Sequence, residues 1–129
     1  MIPTTKLIVD SWAWLELFTG SGRGRTVEEK IGHALPFTSA VTLAEVVSVA
    51  SRRGRPMDKE VSGIRSLSKV VPPTSDDAIE AGILHATTRK SSANFSLADA
   101  FVLQLARKLG GKVLTGDPDF REIKEAELI

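Results

Sequence analysis

The sequence predicts an α/β fold: a three-layer α/β/α arrangement with a central, mainly parallel sheet flanked by helices. Two observations carry this. Short apolar runs of strand length alternate with longer segments of helical period, and that alternation builds parallel sheets. The chain has 129 residues, 42% hydrophobic and 26% charged, which suits one ordinary globular domain spanning 1–129.

Each element has its own signal. Lys6-Leu7-Ile8-Val9 is a short β-rich run, and Ser11 to Phe18 reads as a helix ended by Gly20. The Gly/Arg segment Gly20 to Arg25 is expected to be a flexible surface loop. Val27 to Leu35 reads as a weaker helix and Pro36-Phe37-Thr38 as a short strand. Leu43, Val46, Val47 and Ala50 recur at i, i+3, i+4 and i+7, a helix stripe stopped by Gly54 and Pro56. Met57 to Leu67 follows as a helix, then Lys69-Val70-Val71 as a strand closed by Pro72-Pro73. Ile79, Ile83 and Ala86 mark the next helix, with Ser75, Asp76 or Asp77 as its cap. Ala98, Phe101, Val102, Leu105 and Leu109 mark the strongest helix, ended by Gly110-Gly111. Lys112-Val113-Leu114 is a strand, and 126–129 a last edge strand.

Composition removes several function classes. The chain has no cysteine, which excludes a disulfide scaffold, a thiol nucleophile and a cysteine zinc site, and suits a reducing cytoplasm. No run approaches the ~18 apolar residues of a membrane span. The apolar run at Leu7–Val9 is cut by Asp10, too short for a signal peptide. Net charge is +1, but unevenly laid out. Residues 51–112 carry 11 basic and 6 acidic side chains, whereas 113–129 carry 2 and 5. The basic middle either solvates helix faces or meets a polyanion. Arg52, Arg53 and Arg55 at a helix end either favour the helix dipole or grip a nucleic-acid backbone.

In open parallel sheets, ligands bind beyond the carboxyl ends of the strands, and four acids fall there. Asp10 follows the first strand, Glu45 lies in the helix after the second, Asp99 in the first turn of the strongest helix, and Asp117 just after Val113-Leu114. Carboxylates gathered at one edge cannot all stay ionised without compensation. Mg²⁺ or Mn²⁺ supplies it through oxygen ligands, polarises a phosphodiester and lowers the pKa of a bound water. Each acid also has a local structural use, and Asp117-Pro118-Asp119 reads as a turn. Asp10 can cap the helix at Ser11, Thr42-x-x-Glu45 and Ser96-x-x-Asp99 fit capping boxes, and Asp119 can cap a short helix through Phe120 and Ile123. Ser11 either reaches the cleft or extends the cap. Thr115 steadies the turn that presents Asp117 or touches a phosphate. Trp12 and Trp14 read as core packing, and His33 and His85 as structural or surface residues.

In this setting Leu7-Ile8-Val9-Asp10-Ser11, Thr42-Leu43-Ala44-Glu45, Ser96-Leu97-Ala98-Asp99-Ala100 and Leu114-Thr115-Gly116-Asp117-Pro118-Asp119-Phe120 occur in order. Together they resemble a PIN domain of the stand-alone VapC toxin type, over nearly the whole chain. The resemblance implies a PIN-like fold and a Mg²⁺- or Mn²⁺-dependent endoribonuclease that hydrolyses RNA. It implies catalytic and metal-binding roles for Asp10, Glu45, Asp99 and Asp117, with Ser11, Thr115 and Asp119 as auxiliaries. It also implies a cytoplasmic toxin that forms a homodimer and is silenced by a cognate antitoxin covering the acidic cleft. The competing class is a non-catalytic RNA-binding or protein-docking module whose acids only cap helices. A phosphate-accepting receiver domain is disfavoured by Val9 before Asp10 and by the absence of a Lys in Thr115-Gly116-Asp117. A haloacid-dehalogenase-type phosphatase is disfavoured by Trp12, where it needs an acid.

Overall fold

A computed structural model describes residues 2–129. The strands are β1 (Lys6–Val9), β2 (Leu35–Ser39), β3 (Lys69–Val71), β4 (Lys112–Thr115) and β5 (Ala126–Leu128). The helices are α1 (Ser11–Thr19), α2 (Gly22–Gly32), α3 (Ala40–Arg52), α4 (Asp58–Leu67), α5 (Ser75–Thr88) and α6 (Leu97–Leu109), with a 3₁₀ turn at Pro118–Phe120. One sheet takes all five strands in the order β3-β2-β1-β4-β5, and every pairing is parallel. The predicted three-layer parallel architecture is the observed one.

Side chains of a strand alternate between faces, and the two cores follow from that. Ile8 and Val113 point to one face, where they pack with Leu103, Ala106, Phe95 and Phe120 under α5 and α6. Leu7, Val9 and Leu114 point to the other, against Trp14, Val27, Val46 and Ile64 from α1 to α4. The chain leaves β1 toward β2 on one side and returns to β4 on the other. The strand order therefore reverses beside β1, and a crevice opens there at the carboxyl ends.

Four expectations need correction. The Gly20–Arg25 segment is not a loop. Gly20 ends α1 in the left-handed region, at φ 72°, and α2 begins two residues later. Ser21 caps α2 by accepting from the Gly24 N–H at 3.0 Å. Gly24 lies on the α1 backbone, where any Cβ would overlap the Glu16 carbonyl oxygen. The glycine that reads as flexibility is thus a close helix–helix contact, in which packing overrides propensity. The same helix ends at Gly32, so Leu35 belongs to β2.

The second correction concerns α5. Ile79 and Ile83 are 62% and 65% exposed; the buried positions are Asp77 and Ala81. Asp77 accepts from Gln104 at 2.8 Å and from Lys108 at 3.1 Å, which turns the acidic face inward and holds the Asp77 carboxyl down to about 2, mainly through the Thr74 N–H and Lys108. The cap is Thr74, reciprocated by Asp77 in a capping box.

Third, α3 is capped by Ser39, so Thr42 and Glu45 form no capping box and Glu45 is left for other contacts. Fourth, Asp117 rather than Asp119 caps the 3₁₀ turn. Among the described residues, no helix is long and apolar enough to cross a membrane.

Candidate active site

Asp10 follows the central strand, and its backbone N–H donates to the Leu114 carbonyl at 3.2 Å, tying the end of β1 to β4. Its Oδ1 accepts from the Ala13 N–H at 3.0 Å and so caps α1. At 3% exposure this carboxyl is pushed up to about 7. Burial is the main cause, the Asp99 and Asp117 charges add to it, and the Thr115 hydroxyl and Ala13 N–H oppose it. Thr115 therefore serves two acids, because its Oγ1 also accepts from the Asp117 N–H at 3.0 Å. It steadies the turn, as expected.

Asp99 stands in the first turn of α6. Ser96 donates its N–H to Asp99 Oδ2 at 2.8 Å and accepts from the Asp99 N–H at 3.0 Å, so the predicted capping box is real. The Asp99 carboxyl is nonetheless raised, by burial first and then by Asp117 and Asp119, against the two Ser96 hydrogen bonds. Asp117 Oδ1 accepts from the Asp119 N–H at 2.9 Å. Asp119 is raised by desolvation and by Asp117 beside it. Glu45 is half-buried, raised by burial and by Asp99 and Asp117, and held down by the Ser11 hydroxyl.

Carboxylate oxygens of Asp99, Asp117 and Asp119 lie within 4.8 Å of one another. The tightest trio thus includes Asp119, which the sequence places only as an auxiliary. Asp10 and Glu45 adjoin it, each feeling the charges of Asp99 and Asp117. Capping accounts for one oxygen of an acid, not for gathering five acids at one notch, where the Asp99 and Asp117 charges raise Asp10 and Glu45. A hard divalent cation bound by oxygen ligands removes that repulsion, and the donor set fits one.

Other candidates lie elsewhere. His33 is the C-cap of α2, and His85 sits in the last turn of α5. Arg55 pairs with buried Glu60 at 3.5 Å, which gives one of the three clustered arginines a structural use. Trp14 is fully buried, donates to Thr38 Oγ1 at 3.1 Å and stacks on Phe18. Trp12 is different, and spacing alone does not place it at the site. It is half-buried, and its ring lies on Gly116, where any Cβ would overlap it. The only signal of this in the sequence is a small residue between Thr115 and Asp117.

A parallel α/β sheet with a carboxylate notch at its crevice defines a class of proteins whose oxygen donors suit a divalent cation. The chain belongs to the PIN domain family, whose model matches residues 7–126. No curated protein matches it. Among solved structures, it is similar to Mycobacterium tuberculosis VapC20, a sarcin–ricin-loop-cleaving toxin, with TM-score 0.78, 22% identity, and coverage of 95% of this chain and 98% of that one. It is also similar to VapBC2 from Rickettsia felis bound to a promoter DNA fragment, with TM-score 0.75, 12% identity and coverage of 97% and 98%. A toxin–antitoxin complex from Klebsiella pneumoniae gives 0.71, 18%, 94% and 95%. At such identities these likenesses establish the shared fold.

Proposed function

We propose that the chain is a single-domain, divalent-metal-dependent endoribonuclease that hydrolyses RNA phosphodiester bonds, the cytoplasmic toxin of a type II toxin–antitoxin pair. The observation that carries this is the convergence of Asp99, Asp117 and Asp119 within 4.8 Å, with Asp10 and Glu45 beside them. Asp99, Asp117 and Asp119 would hold the ion, with Asp10 and Glu45 completing its surroundings. Bound Mg²⁺ or Mn²⁺ supplies Lewis-acid polarisation of the phosphodiester and a lowered pKa for water. Asp10, pushed up to about 7 without the ion by burial and by the Asp99 and Asp117 charges, would be held as a carboxylate once a bound cation offsets those charges. Thr115 and Ser11 orient Asp10 and Glu45 through their hydroxyls.

Solved relatives that are themselves toxin–antitoxin complexes support an antitoxin as partner. A second copy is the proposed occupant of the exposed Ile79–Ile83 face of α5. Ile83 lines one groove with Leu84, Glu80, Arg107 and Lys108, so the apolar face is rimmed by both signs of charge that a second copy can meet. Sedimentation equilibrium is expected to give a dimer for the wild type and a monomer for Ile83→Glu; a monomeric wild type would refute the pairing.

The capping bonds of Asp10, Asp99 and Asp117 favour a second reading, a non-catalytic module. The two separate cleanly. The nuclease is expected to cut single-stranded RNA with Mn²⁺ or Mg²⁺ and to stop on chelation. A capping-only protein would neither cut nor bind Mn²⁺.

A further inference from the structure

We infer that Trp12 and Arg23 form a platform at the rim of the acidic notch that stacks one unpaired base of the RNA and holds its phosphate; this rests on the nuclease reading above. Three observations converge. Trp12 differs from fully buried Trp14: it packs on the margin of the same core but is half-buried, with the benzo edge of its ring (Cη2, Cζ2, Cζ3) lying on Gly116. Gly116 joins Thr115 to Asp117, so the indole is seated on the very turn that presents a notch carboxylate. A side chain at 116 would push the ring away, which makes the glycine a condition for the aromatic being there.

Next, the Arg23 guanidinium lies over the Trp12 ring, 6.0 Å from its centroid, within cation–π range, so the exposed Arg23 side chain swings toward the phosphate when a base takes that face. Arg23 is exposed and forms no ion pair among the described residues, whereas Arg55 and Arg107 each have an acidic partner. Its position is fixed from below. Ser21 caps the first turn of α2, donates to Glu16 Oε2 at 2.7 Å, and Gly24 anchors the turn to α1. The third observation is electrostatic. The notch is lined by acids and repels phosphate, so a nucleic-acid strand entering it needs a cation at the rim. Arg23 supplies one beside an aromatic surface. A π-face with an adjacent guanidinium is how single strands are held without sequence-specific hydrogen bonds, and only unstacked bases offer such a face.

The two tryptophans make the test direct. With the wild-type protein in Ca²⁺, iodide is expected to quench Trp12 and spare Trp14. An eight-nucleotide single-stranded RNA is expected to shield Trp12 from iodide and change its emission; inorganic tripolyphosphate, which has phosphates but no bases, should not. Trp12→Leu should weaken RNA binding on the order of tenfold, and Trp12→Phe should restore most of it. Arg23→Ala, on an exposed position, should lower the salt dependence of binding by about 0.7 in slope, the value for one phosphate on a single strand. RNA bound equally by wild type and Trp12→Leu, with Trp12 emission unchanged, would overturn the platform. So would shielding of Trp12 by an antitoxin peptide but not by RNA. Mn²⁺-dependent cleavage, measured in parallel, reports on the nuclease reading alone: cleavage with a silent Trp12 sinks only the platform, and shielding without cleavage sinks only the hydrolysis.

Discussion

Asp10→Asn is expected to stabilise the metal-free protein while slowing RNA cleavage. The folded-state carboxyl titrates near 7 against an ordinary 3.8. Between those values the folded chain keeps a proton that the unfolded chain releases, so stability falls as pH rises from about 4 through about 7. Each tenfold difference in proton affinity between the two states is worth about 1.4 kcal/mol, which puts up to roughly 4 kcal/mol of destabilisation on the wild type at pH 8. Asparagine carries no charge and its Oδ1 can still accept from Ala13, so the α1 cap survives. Thermal unfolding in chelator at pH 8 should show a midpoint raised by roughly 10 °C, the gap shrinking at pH 5 and closing near pH 4. Mn²⁺ should stabilise the wild type more than the variant, which keeps the Asp99, Asp117 and Asp119 trio. A variant less stable than the wild type at pH 8 would refute the assignment of strain to this carboxyl.

Asp99→Asn should have the largest effect on activity at the least cost in stability. The carboxamide oxygen can accept from the Ser96 N–H as the carboxylate does at 2.8 Å, so the α6 cap is kept and stability should stay within about 1 kcal/mol. The charge facing Asp117 and Asp119 is gone, and with it one arm of the trio. Mn²⁺ affinity, read by calorimetry, should fall at least tenfold, and cleavage on the order of 10²- to 10³-fold. Equal cleavage by both proteins would remove Asp99 from the site. Together the two variants compare two helix-capping acids whose carboxyls burial raises, one at the end of β1 and one at the start of α6.

What is legible in the sequence is set by local chemistry. Leu7 to Val9, Lys69 to Val71 and Lys112 to Leu114 are short, mainly apolar runs between turn residues, and each lies in a strand. Asp99 stands out because a capping box sits on a helix with a long buried stripe. What is not legible depends on partners far along the chain. The isoleucines of α5 carry a helical stripe, yet Lys108 and Gln104, from α6, hold Asp77 and turn that stripe outward. Gly24 reads as flexibility until the α1 backbone is against it. Asp119 ranks low by spacing, because only the 3₁₀ turn, capped by Asp117, brings its carboxylate to Asp99. Trp12 and Trp14 look alike in sequence; Gly116 and Thr38 make them different.

Both margins of the sheet are three residues long, β3 on one side and β5 on the other, while the longer strands are paired on both sides. An edge that short offers too few unsatisfied donors and acceptors to template an added strand, which is how natural sheets avoid joining rim to rim into fibrils. Other macromolecules must therefore be recognised by side chains on helices and turns rather than by extending the ladder. A high local concentration of this protein is accordingly expected to remain free of cross-β growth as long as the fold is intact.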